Sequence, residues 1–322
     1  MKAITVEDNS LRWRDTADPV AVAGEILIRS RATAINRADL AQRAGAYPPP
    51  PGASRILGLE CAGEVLAVGE GVTSHRVGDR VCALLAGGGY AERVNVPAGQ
   101  ALPIPKGLTF EQAAALPEVF ATAYLNLFTE ARLAVGERVL LHAGASGVGT
   151  AGIQLCRMNR SPCFVTVGSD DKVAQCLELG ANGGVNRHAA PFGDLVAEWT
   201  DGQGFDVILD PVGAGYLKAN LRALRTDGRL VIIGLMGGAV AELELGLMMM
   251  KRLRVIGSTL RARSIAAKSA VMADLERVVW PQIESGSIKP IVDAVIPIEE
   301  ADRAHALVAA DQTFGKVVMS IG

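Results

Sequence analysis

Apolar positions recur with a different rhythm in the two parts of the chain. Up to about residue 118, short apolar runs are broken by Gly and Pro, among them EILIRSR (25–31), GEVLAV (63–68) and DRVCA (79–83). This spacing predicts a compact, irregular β domain. From about residue 120, longer apolar runs alternate with helical patterns. Strands are predicted at RVLLHA (138–143), CFVTVG (163–168), GVNR (184–187), FDVILDPV (205–212), RLVIIG (229–234) and RVIGSTL (254–260). Helices are expected at 149–157 and at 171–179, the second closed by Gly180 as a C-cap glycine. Six apolar strands joined by helical crossovers make a doubly wound parallel sheet, so the fold class is α/β. The remainder, from about 261, carries a helix at 266–283 and a strand-like FGKVVMSI at 314–321. It is too small to stand alone and is expected to pack on the first domain. The expected division is therefore 1–118 with 261–322, and 119–260. YPPPPG at 47–52 is excluded from a helix and reads as an extended loop.

Length supports two domains, since 322 residues exceed one ordinary core. With 49% hydrophobic and 20% charged residues the chain is globular rather than disordered. A net charge of −2 gives no general attraction to nucleic acid or to an anionic membrane, and 4% aromatics offer few stacking platforms. Neither partner is expected. Residues 1–12 lack a signal-peptide core and no stretch gives 18 uninterrupted apolar residues, so a cytoplasmic protein is expected. Five cysteines without a C-x-x-C pair read as reduced, buried thiols.

The chemistry is concentrated after the first strand of the second domain, in AGASGVGTAGIQL (143–155). Gly144, Gly147 and Gly149 stand where a strand turns into a helix, and Ser146 and Val148 complete the turn. Glycine is needed there for the tight turn and for backbone approach to a pyrophosphate. Ser146 replaces the second glycine of G-x-G-x-x-G, so the surrounding strand and helix rhythm carries the reading of a dinucleotide site. The next strand selects the dinucleotide. An NAD site places an acid near its end, about 20 residues beyond the turn. Here Gly168 occupies that place, followed by Ser169 and Lys172, and Arg187 ends the third strand. This set suits the 2′-phosphate of NADPH. Two alternatives stand beside it: Asp170 as the ribose acid after a register slip, and Asp170 or Asp171 as the N-cap of the next helix with Lys172 a solvated charge in its first turn.

With this turn and this domain order, the chain resembles the medium-chain dehydrogenase/reductase superfamily, and within it the zinc-free NADPH quinone oxidoreductases related to zeta-crystallin. The resemblance runs along essentially the whole chain. It rests on AINRADLAQRAGAYPPPPGASRILGLECAGEV (34–65), VGDRVCAL (77–84), LPEVFATAY (116–124), HAGASGVGTAGIQL (142–155) and GLMGG (234–238). It implies a GroES-like catalytic domain with a Rossmann domain inserted, and a homodimer. It further implies Asn36, Tyr47 and Thr122 near the nicotinamide, Ser146 to Gly149 on the pyrophosphate, and Gly168, Ser169, Lys172 and Arg187 at the adenosine end. Leu235, Met236 and Lys316 are further expected coenzyme contacts. The alcohol-dehydrogenase branch carries a Cys ligand near the position of Arg37 to Asp39 and a G-H-E motif. This chain has Gly58-Leu59-Glu60. Leucine binds no metal, and none is expected.

Without a Lewis acid the acceptor must take hydride readily, as a quinone or an α,β-unsaturated carbonyl does. NADPH:quinone reduction is the leading expectation. A 2-enoyl or alkenal reductase is the first alternative, and a non-catalytic RNA-binding or crystallin-like role the second. Tyr47 is the nominated catalytic residue, with packing on the nicotinamide as its competing role. His142 and His305 are expected to be structural, His75 and His188 to lie on the surface, and Asp39 to be a hydrogen-bonding partner rather than a base.

Overall fold

A computed structural model describes residues 1–322 and divides them into two compact units, Met1–Ala121 with Leu260–Gly322, and Thr122–Thr259. The first contains β1 (Lys2–Glu7), β2 (Ser10–Asp15), β3 (Glu25–Ala34), β4 (Glu60–Val68), β5 (Arg80–Leu84), β6 (Arg93–Pro97) and β7 (Ala101–Pro103). The second contains β8 (Val139–His142), β9 (Cys163–Val167), β10 (Gly183–Asn186), β11 (Phe205–Asp210), β12 (Leu224–Ile232) and β13 (Arg254–Gly257). The chain then returns to the first unit with β14 (Val292–Pro297) and β15 (Lys316–Ser320).

In the β-rich unit a sheet runs β14-β15-β3-β4-β5-β7, with β6 also paired to β3. Ile26, Ile28 and Ser30 alternate inward along β3, the period-2 signature of a strand with one buried face. The C-terminal segment completes this sheet, because β15 pairs antiparallel with β3, placing Val318 opposite Ala34. Its helical pattern is two helices, Ile265–Val278 and Trp280–Glu284, rather than one. Pro281 has no N–H to continue the first helix and sits in the opening turn of the second.

The other unit is a parallel sheet ordered β10-β9-β8-β11-β12-β13, the Rossmann order. All four residues of β8 and all five of β9 are buried, as strands covered on both faces require. Strand β12 starts at Leu224, five residues before the apolar run that announces it. The helices after β8 and β9 are Gly147–Met158 and Asp170–Leu179. Gly180 ends the latter at φ 117°, a left-handed cap that glycine adopts without strain. No helix is long and apolar enough to cross a membrane. All five cysteines are free and buried. His75, expected on the surface, is instead buried and hydrogen-bonded at Nδ1 to Ser74 Oγ at 2.8 Å.

Candidate active site

In the parallel unit the expected coenzyme residues gather where β8, β9, β10 and β12 end. An ideal Cβ on Gly149 would lie 2.5 Å from the carbonyl oxygens of both Ala143 and Gly144, and one on Gly144 would lie 2.6 Å from Val165 Cβ. The turn therefore closes, and packs against β9, only with glycine at both places. Ala143 takes φ 55° within it, a left-handed conformation that marks local strain. Ser146 is the N-cap of Gly147–Met158, its Oγ accepting from Gly149 N at 3.0 Å. That accounts for one first-turn amide. The amides of Gly147 and Val148 have no intrahelical acceptor, and with the helix dipole they form an anion-binding end. The replacement of glycine by Ser146 is thus a cap that stiffens this end.

The adenosine-end residues also converge. Strand β9 stops at Val167, and a Cβ on Gly168 would lie 3.1 Å from Arg187 Nη1, so the guanidinium lies alongside this glycine. Arg187 N donates to Val167 O at 2.9 Å, which fixes the two strand ends together. Ser169, not Asp171, is the N-cap of Asp170–Leu179, its Oγ accepting from Lys172 N at 3.3 Å. Asp170 accepts from Asn186 Nδ2 at 3.1 Å and opens the helix rather than closing the strand. Lys172 is buried rather than a solvated charge. Tyr216, absent from the expected set, lies among these groups, with its hydroxyl bonded to Thr166 and within the field of Arg187.

His142 ties the strand ends from below. Its ring nitrogens meet Thr166 Oγ1 at 3.0 Å and Asn220 Oδ1 at 2.7 Å, and Asn220 donates in turn to Asp210 Oδ2 at 2.9 Å. Burial pushes the His142 imidazolium down to about 4, so the ring is neutral and structural. Leu235 and Met236 lie in an exposed loop after β12, and Met236 N donates to Pro211 O. Thr122 is half-buried; its carbonyl accepts from Asn126 Nδ2 at 2.7 Å, immediately before the π-helical turn Leu125–Glu130. Such turns commonly mark functional sites.

In the β-rich unit the half-buried Asn36 is tied to the buried Lys316 and Glu60. Lys316 Nζ donates to Ile35 O at 2.6 Å, Asn36 Oδ1 at 2.7 Å and Glu60 Oε1 at 2.8 Å. An ammonium has three hydrogens, so Lys316 has none left for a coenzyme. The Asn36 amide is itself oriented by Nδ2 donation to Glu60 Oε1 at 3.0 Å. Asp39 accepts from Asn36 N, Gly58 N and Tyr90 OH, a hydrogen-bonding role as expected; burial nonetheless raises its carboxyl to about 6. Beyond Tyr90, His305 Nε2 lies 3.1 Å from the phenol oxygen, and burial lowers His305 to about 4.

Tyr47 is half-buried, and burial raises its phenol above the ordinary range. Arg261 fixes the loop that carries it. The guanidinium carbon sits 5.3 Å from the Tyr47 ring centre, Nη1 donates to Tyr47 O, Nε to Ala86 O at 2.8 Å and Nη2 to Gln42 Oε1 at 2.7 Å. Arg261, Lys268 and Glu118 were not among the expected residues. Glu118 carried one signal, as the sole charge in the apolar run 113–123. A zinc ion does not fit the donors present. Leu59 is buried and has no donor atom, and no three His, Cys, Asp or Glu side chains cluster for a metal.

Residues 22–106 match the family model of the alcohol dehydrogenase GroES-like domain, and residues 147–276 that of zinc-binding dehydrogenases. The human synaptic vesicle membrane protein VAT-1 homolog is 32% identical over 97% of this chain and 83% of its own. The rat quinone oxidoreductase is 29% identical over 95% of this chain and 92% of its own. Escherichia coli quinone oxidoreductase, solved with NADPH, superposes with a TM-score of 0.89 at 28% identity, covering 100% of both chains.

Proposed function

Because the chain belongs to the medium-chain dehydrogenase/reductase superfamily, in its quinone oxidoreductase-like branch, we propose that it reduces a quinone with NADPH, without a metal ion. One observation carries the coenzyme choice. The end of β9 offers Gly168 in place of an acid, with the Arg187 guanidinium beside it and Lys172 one helical turn on. This pair of cations suits a 2′-phosphate, and glycine stands where an NAD site places its ribose-binding acid.

The residues divide the work as follows. The Gly147 and Val148 amides, left free by a Ser146 cap that engages Gly149 N, hold the pyrophosphate, while Ser169, Lys172 and Arg187 hold the 2′-phosphate. Leu235, Met236 and Thr122 contact the nicotinamide half, and Asn36, oriented by Lys316 and Glu60, meets its ring. When bound, NADPH supplies a hydride. Tyr47 orients the acceptor by its hydroxyl, on a loop held by Arg261, and positioning alone lowers the barrier by several kcal/mol. A quinone needs no Lewis acid to accept hydride, which agrees with a donor set that does not fit zinc.

Tyr47→Phe is therefore expected to lower kcat for phenanthrenequinone only about two- to tenfold, the loss of one neutral hydrogen bond. Steady-state NADPH oxidation measures it, and a thousandfold loss would make Tyr47 the essential acid instead. The substrate class is tested by comparing benzoquinone, phenanthrenequinone and a crotonyl thioester with both coenzymes. Fast turnover of the thioester alone would replace the quinone reading with an enoyl reductase. A second copy of the chain is proposed to pair along the open edge of β13, beside the exposed Leu245, Met249 and Met250, and sedimentation velocity reports that dimer.

A further inference from the structure

Glu118 is a buried acid without a partner of its own. It is the second residue of the helix Pro117–Tyr124, and its backbone N–H donates to Glu60 Oε2 at 2.9 Å. Its own Oε2 is buried and accepts no hydrogen bond. Glu60 already has Lys316 at 2.8 Å, so that cation does not serve Glu118. The charged and titratable groups facing it are Glu60 on β4, Lys316 on β15, Asp39 on the helix Arg37–Arg43, Arg261, Lys268 on the helix Ile265–Val278, and the Tyr47 hydroxyl. Lys268 is itself buried, and its ammonium has one long bond, to Arg261 O at 3.4 Å. An unpaired carboxyl and an under-bonded ammonium thus share one interior with the tyrosine already assigned to the acceptor.

We propose that Glu118 is the acid of the reaction, giving its proton to the acceptor oxygen and leaving a carboxylate that Lys268 and Arg261 stabilise. This rests on the reductase reading above and adds the source of its proton. The balance is simple. The hydride brings one hydrogen and two electrons to the quinone, NADPH becoming NADP⁺. The Glu118 O–H bond breaks with its electron pair left on the carboxylate, and the proton completes the hydroquinone. Water then reprotonates Glu118. Burial first, and the neighbouring Glu60 charge second, hold the carboxyl up to about 8, so it carries a proton at neutral pH and surrenders it without a large penalty.

Infrared difference spectroscopy of the free protein tests this without coenzyme. A protonated-carboxyl stretch is expected at neutral pH, disappearing with a midpoint near 8 and absent from Glu118→Gln. In turnover, Glu118→Gln is expected to lose on the order of a hundredfold in kcat for phenanthrenequinone, with KM for NADPH unchanged, and to lack the alkaline fall expected of the unaltered protein. Lys268→Met removes a cation that favours the carboxylate, so the infrared midpoint and the alkaline limb both move to higher pH. An absent band in the unaltered protein, or an alkaline limb that survives in Glu118→Gln, overturns the inference. If Glu118→Gln does not fold, Lys268→Met decides, and a midpoint that does not move overturns it. Failure of the unaltered protein to reduce any acceptor would sink the reductase reading and this inference together. Normal turnover with either overturning result sinks this inference alone.

Discussion

Lys316→Met is expected to destabilise the protein by about 3–5 kcal/mol, the usual consequence of removing one member of a buried ion pair. The reason lies in what remains. The Lys316 side chain is 4% exposed and that of Glu60 0%, and their 2.8 Å contact neutralises a carboxylate that water cannot reach. After the substitution Glu60 keeps two neutral donors, Asn36 Nδ2 and Glu118 N. It is then left as a buried carboxylate without a counter-ion. For domains of this size the loss corresponds to roughly 6–20 °C in Tm. Urea unfolding and calorimetry measure it, and the double variant Lys316→Met with Glu60→Gln separates the causes. Because the cost comes from the orphaned charge, the double variant should recover much of the loss. A double variant no better than the single one would mean that packing around the lysine stem, not charge, sets the effect.

Coenzyme selection carries the second large effect. Lys172→Ala is expected to weaken NADPH binding by about ten- to a hundredfold, equivalent to a charge-assisted contact of roughly 1.5–3 kcal/mol, while NADH binding changes little. Binding titrations by NADPH and NADH fluorescence measure the two constants separately. The asymmetry is the critical result, since loss of packing by this buried side chain acts on both coenzymes equally. Equal losses would remove Lys172 from 2′-phosphate recognition and leave Arg187 alone in that role.

The same buried cluster sets a pH dependence of stability. The folded-state carboxyl of Glu118 is raised from 4.5 to about 8, so the folded protein binds the proton that the unfolded chain releases. Its contribution is whole below the unfolded value and is lost as pH rises through about 8. Asp39, raised from 3.8 to about 6, loses its contribution at lower pH in the same direction.

Local pattern was enough for the parallel unit. Strands covered on both faces are mostly apolar runs, and 138–143, 163–168 and 205–212 read as strands because Val, Leu, Ile and Phe dominate them, with polar residues such as Arg138, Asp206 and Asp210 near their ends. The Gly-rich turn was equally legible, since Gly144 and Gly149 meet their constraints within one strand, one turn and one neighbouring strand. Gly180 closed its helix for a similarly local reason. Nearby competition between capping residues was harder. Ser169 and Asp171 are both good N-caps, and the backbone path out of β9, not residue type, selects Ser169.

What pattern did not reveal depends on residues far apart in the chain. Lys316 reaches Asn36 across 280 positions and Arg261 reaches Gln42 across 219, so no window of sequence contains both partners. Lys316 therefore read only as an expected coenzyme contact, and its bonds to Ile35 O, Asn36 Oδ1 and Glu60 Oε1 were invisible in the pattern. The function of Ser146 was hidden in the same way: against a motif it is a missing glycine, and in space it is the cap that leaves two amides free to hold an anion. Glu118 is the strongest case. Its carboxyl has ordinary chemistry in an unfolded chain, and becomes an acid suited to neutral pH only because folding buries it and brings the Glu60 carboxylate beside it, with Arg261 opposing the shift.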